Sequence, residues 1–409
     1  MRKLSSRVKI LAVTGAYLPG FKAGGPIHSV SNLVASLGGG EFEFSVLTSD
    51  RDHTDKVPYR GVTTDTWVRV GKAQVLYTAN LSLANLRRRI AEAKPDIIYL
   101  NGFFSRFTIK ILLLRRLGML PPVAVVLAPR GEFSPGALAL RKTKKVIFMT
   151  VAAWVGLYRH ILWQASAEKE KQEIQEVFST LRLSIDGRFD AALRIHEASN
   201  VPSAVPVARL CRETVRKQPG QVSFVFVSRV SPKKNLAVAI EMVLSLKGKI
   251  TFDIYGPVDD PKYWEECWKL TARTPENVRI RYLGALPHNE VRTKFSQYHF
   301  FLFPTLGENF GHVIVESLGA GCPVIVSNQT PWSYLQQKNI GWDLPLDDRQ
   351  LWHRVLQHCT DMDAETYLKM SNAASDFMRD WLHSPKILED NVNLFRKALS
   401  AQASEAEKV

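Results

Sequence analysis

Short runs rich in Val, Ile, Leu and Phe alternate along the chain with helix-length segments whose apolar residues recur every three to four positions. The runs at Val8–Thr14, Phe42–Thr48, Asp96–Leu100, Val123–Leu127 and Ile161–Trp163 predict strands in the first half. The rhythm restarts at Ser223–Ser228 and continues at Thr251–Tyr255, Phe300–Pro304 and Pro323–Ser327. Strands that are apolar throughout and separated by helices belong to parallel sheets covered on both faces. The expected fold class is therefore α/β, with two doubly wound, Rossmann-like domains. Residues 1–200 form the first domain in this reading and 222–380 the second. Between them 201–221, with Pro202, Pro206, Pro219 and the cations Arg209, Arg212, Arg216 and Lys217, reads as a linker. Residues 381–409 read as a closing helical segment.

Three loops carry candidate chemistry. The first strand runs into Gly24-Gly25-Pro26, which opens a helix with Ile27, Val30, Leu33, Val34 and Leu37 on one face. Glycine lets a backbone approach a ligand closely, and a helix N-terminus favours anions; an ordinary glycine-rich turn is the alternative, since the segment is not G-x-G-x-x-G. The strand Ser223–Ser228 is followed by Arg229 and, five residues on, Lys234. Two cations at the carboxyl end of a parallel strand can neutralise a diphosphate, although a solvated basic loop has the same composition. The strand Phe300–Pro304 leads into Gly307-Glu308-Asn309-Phe310-Gly311-His312, with Glu316 eight residues after Glu308. If the helix begins near Glu308, both acids share its ligand-facing side. Carboxylates accept from sugar hydroxyls while cations and backbone amides hold an anion, so acids beside cations suit a ligand with both.

In combination these segments resemble glycosyltransferase family 4, retaining enzymes of the GT-B fold. Gly319-Ala320-Gly321-Cys322-Pro323, Tyr255-Gly256-Pro257, Tyr282-Leu283-Gly284 and Thr330-Pro331-Trp332 match as well, as does a C-terminal segment from Trp381 that in such enzymes crosses back to the N-terminal domain. The resemblance implies that Arg229 and Lys234 clamp the donor diphosphate and, with Glu308, carry catalysis. It implies further that Glu308 contacts the donor sugar, the backbone of Asn309, Phe310 and Gly311 its hydroxyls or phosphate, and Glu316 the ribose. Gly24 and Gly25 would approach the donor, and the Tyr255-Gly256 and Leu283-Gly284 loops the base. No Asp-x-Asp stands at a matching site, so neither a metal nor another cofactor is expected, the nucleotide sugar being a substrate. Two segments depart from the pattern. Asn101-Gly102 replaces a His-Gly of many relatives, and Pro129-Arg130-Gly131-Glu132 stands where others carry a His. Arg130 is a candidate for donor phosphate or an anionic acceptor, or else a structural arginine paired with Glu132. His28 either faces the cleft or is a capping or surface residue.

Charge adds a second theme. The 409 residues carry 54 Lys+Arg against 39 Asp+Glu, a net +15. Residues 1–200 hold +13 of it, and Arg87 to Arg159 contain 14 cations against Glu92, Asp96 and Glu132. Such a face attracts nucleic acid, an anionic membrane or a phosphorylated ligand. Arg141-Lys142-Thr143-Lys144-Lys145 precedes the apolar run Val146–Tyr158, too short for the roughly 20 residues of a membrane span. It reads as an interfacial helix with its cations on headgroups, or as a buried helix with a basic start. Cys211, Cys267, Cys322 and Cys359 form no C-x-x-C pair, which argues against zinc or a disulfide framework and for a reducing compartment. The N-terminus lacks the apolar core of a signal peptide.

The expected partners are a nucleotide-diphosphate sugar, a glycan or lipid-linked oligosaccharide acceptor and an anionic membrane surface. The expected location is cytoplasmic, peripheral on the inner membrane face. The leading function is sugar transfer in cell-surface polysaccharide assembly such as lipopolysaccharide, capsule or exopolysaccharide. Alternatives are a GT-B-like epimerase or phosphorylase and, in another class, a basic nucleic-acid-binding protein. No nucleic-acid partner is expected, because the basic stretch holds neither an aromatic stacking platform nor a recognised binding motif.

Overall fold

Two parallel sheets organise the chain, one in each of two units, 1–204 with 385–409 and 205–384. A computed structural model describes residues 7–139, 142–184, 194–203 and 216–406. The expected linker falls largely on 204–215, outside the described residues, as do Arg141 and Cys211.

The first unit contains β1 (Val8–Val13), α1 (Gly25–Leu37), β2 (Phe42–Ser49), β3 (Trp67–Val70), β4 (Ala73–Thr78) and α2 (Leu83–Ala93). It continues with β5 (Ile97–Asn101), α3 (Arg106–Arg116), β6 (Ala124–Ala128), α4 (Pro135–Ala139), α5 (Lys142–Trp154), β7 (Leu162–Ala165), α6 (Glu168–Ser184) and β8 (Arg194–Glu197). Its sheet runs β3-β4-β2-β1-β5-β6-β7-β8, with only β3 antiparallel to its neighbour. The central strands β5 and β6 are buried at every position, which is why their sequences read as unbroken apolar runs.

The second unit contains β9 (Gln221–Val227), α7 (Leu236–Leu244), β10 (Lys249–Tyr255), α8 (Pro261–Leu270), β11 (Val278–Tyr282), α9 (His288–Phe295) and β12 (Phe300–Phe303). Then follow α10 (His312–Gly319), β13 (Val324–Ser327), β14 (Gly341–Leu344), α11 (Arg349–Asp361) and α12 (Ala364–Leu382). This sheet is parallel throughout, in the order β11-β10-β9-β12-β13-β14. Phe224, Phe226, Phe300, Phe301 and Phe303 fill its middle. Lys217, read from sequence as a linker cation, is buried here. Its Nζ donates to the carbonyls of Gln218 (2.9 Å), Thr360 (2.7 Å) and Met362 (2.9 Å), capping the C-terminal end of α11.

The last helix, α13 (Lys386–Ala406), belongs to the first unit, against β5, β6, β8 and α1. Leu394 and Phe395 are fully buried, and the Phe395 ring meets Phe42, Phe44 and Tyr99 edge-on at 5.4–6.3 Å. Each buried side chain of this size contributes roughly 1.5–3 kcal/mol. Asn391 Nδ2 donates to the Ser199 carbonyl (2.8 Å), and Arg396 pairs with Glu41 (2.6 Å). Each unit is a Rossmann-like α/β domain built on its own largely parallel sheet.

Candidate functional site

In the second unit the strand order reverses between β9 and β12: the chain builds outward through β10 and β11, then returns to β12 and proceeds the other way. Loops at the carboxyl ends of strands flanking such a reversal form the ligand crevice of open α/β sheets. The loop after β9 carries Arg229, a 3-10 turn at Pro232–Lys234, and Asn235 in the left-handed region at φ +59°. The loop after β12 is stitched to it. The Leu306 N–H (2.9 Å) and Thr305 Oγ1 (3.1 Å) donate to the Lys233 carbonyl, and Asn235 Nδ2 donates to the Pro304 carbonyl (2.9 Å). This register sets Lys234 Nζ 2.6 Å from Glu308 Oε2, with side-chain exposures of only 12% and 19%. Burial opposes ionisation of Glu308, but the charge and hydrogen bond of Lys234 outweigh it, helped by Lys233 and the Asn309 amide. The carboxyl is held below its ordinary range. Arg229 pairs with Asp259 at 3.2 Å.

Glu308 is not on the helix. α10 starts at His312, so Glu308 and Glu316 do not share a helical face, and the spacing between them spans a loop and one turn of helix. The break is Gly311, at φ +79°, where a Cβ would lie 2.8 Å from Ile314 Cδ1 and 3.3 Å from Glu308 Cγ. Trp332 fixes the loop from behind: its Nε1 donates to the Phe310 carbonyl (2.6 Å), and the buried Phe310 ring packs near Trp381. The first amides of α10, after Asn309 and Phe310, supply the partial positive charge of a helix start. Glu316 is partly buried on α10. Burial pushes its pKa up to about 8, with Arg292 pulling the other way.

Beside this cluster β10 ends in Tyr255-Gly256. The Tyr255 side chain is buried and its hydroxyl bonds to that of Tyr298 (3.1 Å), so any contact of this segment with a ligand base is left to backbone. Tyr298 in turn donates to Asp253 (2.6 Å), which also receives Arg281. Gly256 sits at φ +142°, and a Cβ there would fall 1.8 Å from the Ser228 carbonyl oxygen. Its N–H donates to the Gly284 carbonyl (2.8 Å), next to exposed Leu283.

The remaining sequence-derived candidates, Gly24, Gly25, His28, Asn101 and Arg130, lie in the first unit. Gly24 precedes α1, Gly25 and Pro26 form its first turn, and His28 follows, partly exposed. The loop before them is anchored by Asp52, which accepts from the amides of Phe21 (2.7 Å), Lys22 (3.0 Å) and His53 (2.7 Å). Asn101 closes β5 and donates to the Val13 (3.4 Å) and Tyr99 (3.2 Å) carbonyls, across the reversal point between β1 and β5. Arg130 does not pair with Glu132. Its guanidinium donates to Asn101 Oδ1 (3.0 and 2.7 Å), to the Tyr99 hydroxyl and to Asn200 Oδ1. Glu132 instead accepts from the Phe104 amide (2.8 Å), and burial raises its pKa.

The basic stretch resolves into α5. Met149, Ala152 and Ala153 are buried, while Ile147, Val151 and Trp154 are 58%, 55% and 64% exposed, next to Val146. The helix therefore has one apolar face inside and another outside, with Lys142, Lys144 and Lys145 at its start. Part of the surrounding charge caps backbone: Arg116 donates to the Val155 carbonyl (2.7 Å), and Arg115 to those of Arg159 (2.7 Å) and His160 (3.1 Å). Among the described residues no helix is long and apolar enough to cross a membrane.

Asp259, Asn235, Arg292, Asp52 and Asn200 shape these clusters without having been singled out in the sequence. Only Asn235 carried a local signal, an asparagine closing a Lys-Lys turn where a left-handed residue is needed. Chemically, the second unit presents cations, an ionised carboxylate and a helix start together, a set able to hold a diphosphate and to accept hydrogen bonds from hydroxyls.

Residues 210–342 match the family model of glycosyl transferases group 1. Over 109 residues the chain is 26% identical to O-antigen chain mannosyltransferase B of Escherichia coli, covering 26% of this chain and 28% of that protein. The chain spans between 20% and 30% of the length of the curated relatives it matches. Among solved structures, Anabaena HepE in complex with UDP and glucose aligns with a TM-score of 0.66 at 14% identity, over 96% of this chain and 100% of that one. WaaG, a glycosyltransferase involved in lipopolysaccharide biosynthesis, aligns with a TM-score of 0.64 at 14% identity, over 94% and 99%.

Proposed function

We propose that this chain, whose residues 210–342 match the family model of glycosyl transferases group 1, is a retaining glycosyltransferase that moves a sugar from a nucleotide-diphosphate donor to a hydroxyl of a lipid-linked glycan. The observation that carries the reading is the Lys234–Glu308 pair at the strand reversal of the second sheet, with Arg229 and the start of α10 beside it. As the bond from the sugar to the diphosphate breaks, negative charge grows on the leaving group. In this reading Arg229 and Lys234 stabilise that charge, which lowers the barrier more than it strengthens ground-state binding. When a diphosphate draws Lys234 away, Glu308 is released to accept from a donor-sugar hydroxyl, and Glu316 accepts from the ribose. These cations do the electrostatic work a metal would otherwise do, so turnover should survive EDTA.

The E. coli relative named for O-antigen synthesis supports cell-surface polysaccharide as the product. The exposed apolar stripe of α5 behind its lysines supports peripheral attachment to the inner face of an anionic membrane, each headgroup contact adding about 1 kcal/mol. A thermal-shift panel of nucleotide sugars identifies the donor, and transfer to a membrane-extracted acceptor measures activity. Lys234→Ala and Glu308→Ala should each cut turnover about 100-fold or more; unchanged turnover with the right donor removes the assignment. Proton NMR of the product reads the anomeric outcome. Consumption of the nucleotide sugar by isomerisation, without acceptor, would instead make it an epimerase. Vesicles of anionic lipid that fail to retain the chain at low salt would dispose of the membrane role.

A further inference from the structure

Arg130 is a guanidinium held by neutral hydrogen-bond acceptors, with no carboxylate in direct contact among the described residues. Four of its five N–H donors go to Asn101, Asn200 and Tyr99, all neutral, and among the described residues no carboxylate pairs with it. Arg89, Arg229 and Arg281, by contrast, each have one. Glu132, two residues along the loop, and Glu170, bonded to the next residue, make their hydrogen bonds to other groups. Glu132 takes the Phe104 amide, and Glu170 takes the Gly131 amide (2.7 Å) together with the Ser166 amide and hydroxyl (both 2.7 Å). A partly buried cation without a counter-ion is costly, and neutral dipoles recover only part of that cost.

The backbone is unusual as well. Arg130 stands at φ +59°, a conformation that a long side chain rarely adopts and that persists only when the surroundings enforce it. Glu170 accepts from the amide that follows, Gly131, at 2.7 Å. The residue follows β6, next to the end of β5 and close in the sheet to the β1/β5 reversal, where open α/β sheets take ligands.

Resting on the transferase reading, we infer that Arg130 recognises an oxyanion, phosphate or carboxylate, carried by the acceptor. The proposed reading gives the donor diphosphate its own cations in the second unit, so a cation of the first unit that has no direct ion pair is assigned to the other substrate. The remaining Nη1 N–H and the charge receive the oxyanion; a second bond forms if it displaces the amide oxygen of Asn200, a weaker acceptor.

The full chain is assayed with its donor and three forms of one acceptor: a polyprenyl-diphosphate glycan, the same glycan freed of phosphate by mild acid, and that glycan with its carboxyl groups reduced. Arg130→Gln should raise the KM of the anion-bearing form about 10- to 100-fold and spare the neutral one. The form at which the effect disappears tells phosphate from carboxylate. Arg130→Lys, which keeps the charge but loses the fork, should recover part of the loss. Asn200→Asp supplies an internal counter-ion, so it should imitate Arg130→Gln in KM while keeping Tm at or above wild type, which a folding defect could not do. Equal KM changes for charged and neutral acceptors, a loss of nucleoside-diphosphate affinity instead, or a lower Tm with an unchanged KM ratio would overturn the inference. Calorimetric titration with inorganic phosphate separates the two readings. Phosphate binding that is lost in Arg130→Gln, in a chain that turns over no nucleotide sugar, sinks the transferase reading alone; turnover whose acceptor KM ignores Arg130 sinks this one alone.

Discussion

Lys234→Ala removes the cation 2.6 Å from Glu308 and leaves a carboxylate that keeps only 19% of its side-chain surface in solvent. Removing one partner of a fully buried pair costs about 3–5 kcal/mol. The residual exposure of both groups brings the expected loss to about 2–3 kcal/mol. Neutralising the second partner removes the stranded charge, so Lys234→Ala/Glu308→Gln should be less destabilised than the sum of its single changes by about 1.5–2 kcal/mol. For a unit of this size each kcal/mol moves Tm by about 2–4 °C. Scanning calorimetry of the full chain should therefore show Lys234→Ala melting about 4–12 °C low. The pH dependence follows from the depressed pKa of Glu308. A carboxyl held below its unfolded value of 4.5 contributes stability above that value and loses it as pH falls through the lower, folded one. The gap between wild type and Lys234→Ala should accordingly narrow below pH 4.5, as Glu308 takes up its proton. If Lys234→Ala costs as much in the Glu308→Gln background as in wild type, or if the gap stays constant under acid, the pair is not the source of the stability.

Other expectations are shorter to state. Gly256→Ala meets the Ser228 carbonyl at 1.8 Å and should cost about 3 kcal/mol or more, whereas Gly284→Ala, at φ +79° with nothing nearby, should cost about 1–2 kcal/mol; thermal melts compare them. Burial holds the pKa of Glu316 at about 8, so the carboxylate to which the proposed reading gives the ribose hydroxyls is fully present only above that pH. The Kd of the nucleotide-sugar donor should fall as pH rises through about 8, and a titration of Glu316→Gln should be flat. Burial lowers Lys217 to about 8 from 10.5, so the charged form is penalised in the fold and the penalty lifts between those values. Wild-type stability should gain on Lys217→Met over that interval, measured by urea midpoints at successive pH values.

What could be read in the sequence depended on how local the cause was. Central strands such as β5, β6 and β12 are covered on both faces, so their composition announces them. The strands the pattern missed are edges or next to edges of the two sheets. Arg194–Glu197 looks like loop, and Val278–Tyr282 alternates with arginines, one of which is spent on buried Asp253. The cation and acid motifs of the second unit were legible because each sits in one short loop after one strand. The start of α10 was not, because the regular spacing of Glu308 and Glu316 imitates a helix that Gly311 interrupts. Arg130 shows the limit most plainly. The acid two residues away offered the obvious partner, yet its actual partners come from positions 29 to 31 residues earlier and 70 later, chosen by the order of strands in the sheet.

The place of α13 also sets a timetable. Phe395 closes a cluster with Phe42, Phe44 and Tyr99, roughly 300 to 350 positions upstream, while everything the second unit packs lies between 205 and 384. On a ribosome the second unit can finish first. The sheet made earliest waits, with an apolar face uncovered, until the helix that seals it emerges. That interval is a window in which exposed parallel strands can aggregate and a holding chaperone is most useful. A chain stopped at Ser384 would extend the wait indefinitely, with the second unit's contacts all present and the first unit's core unsealed.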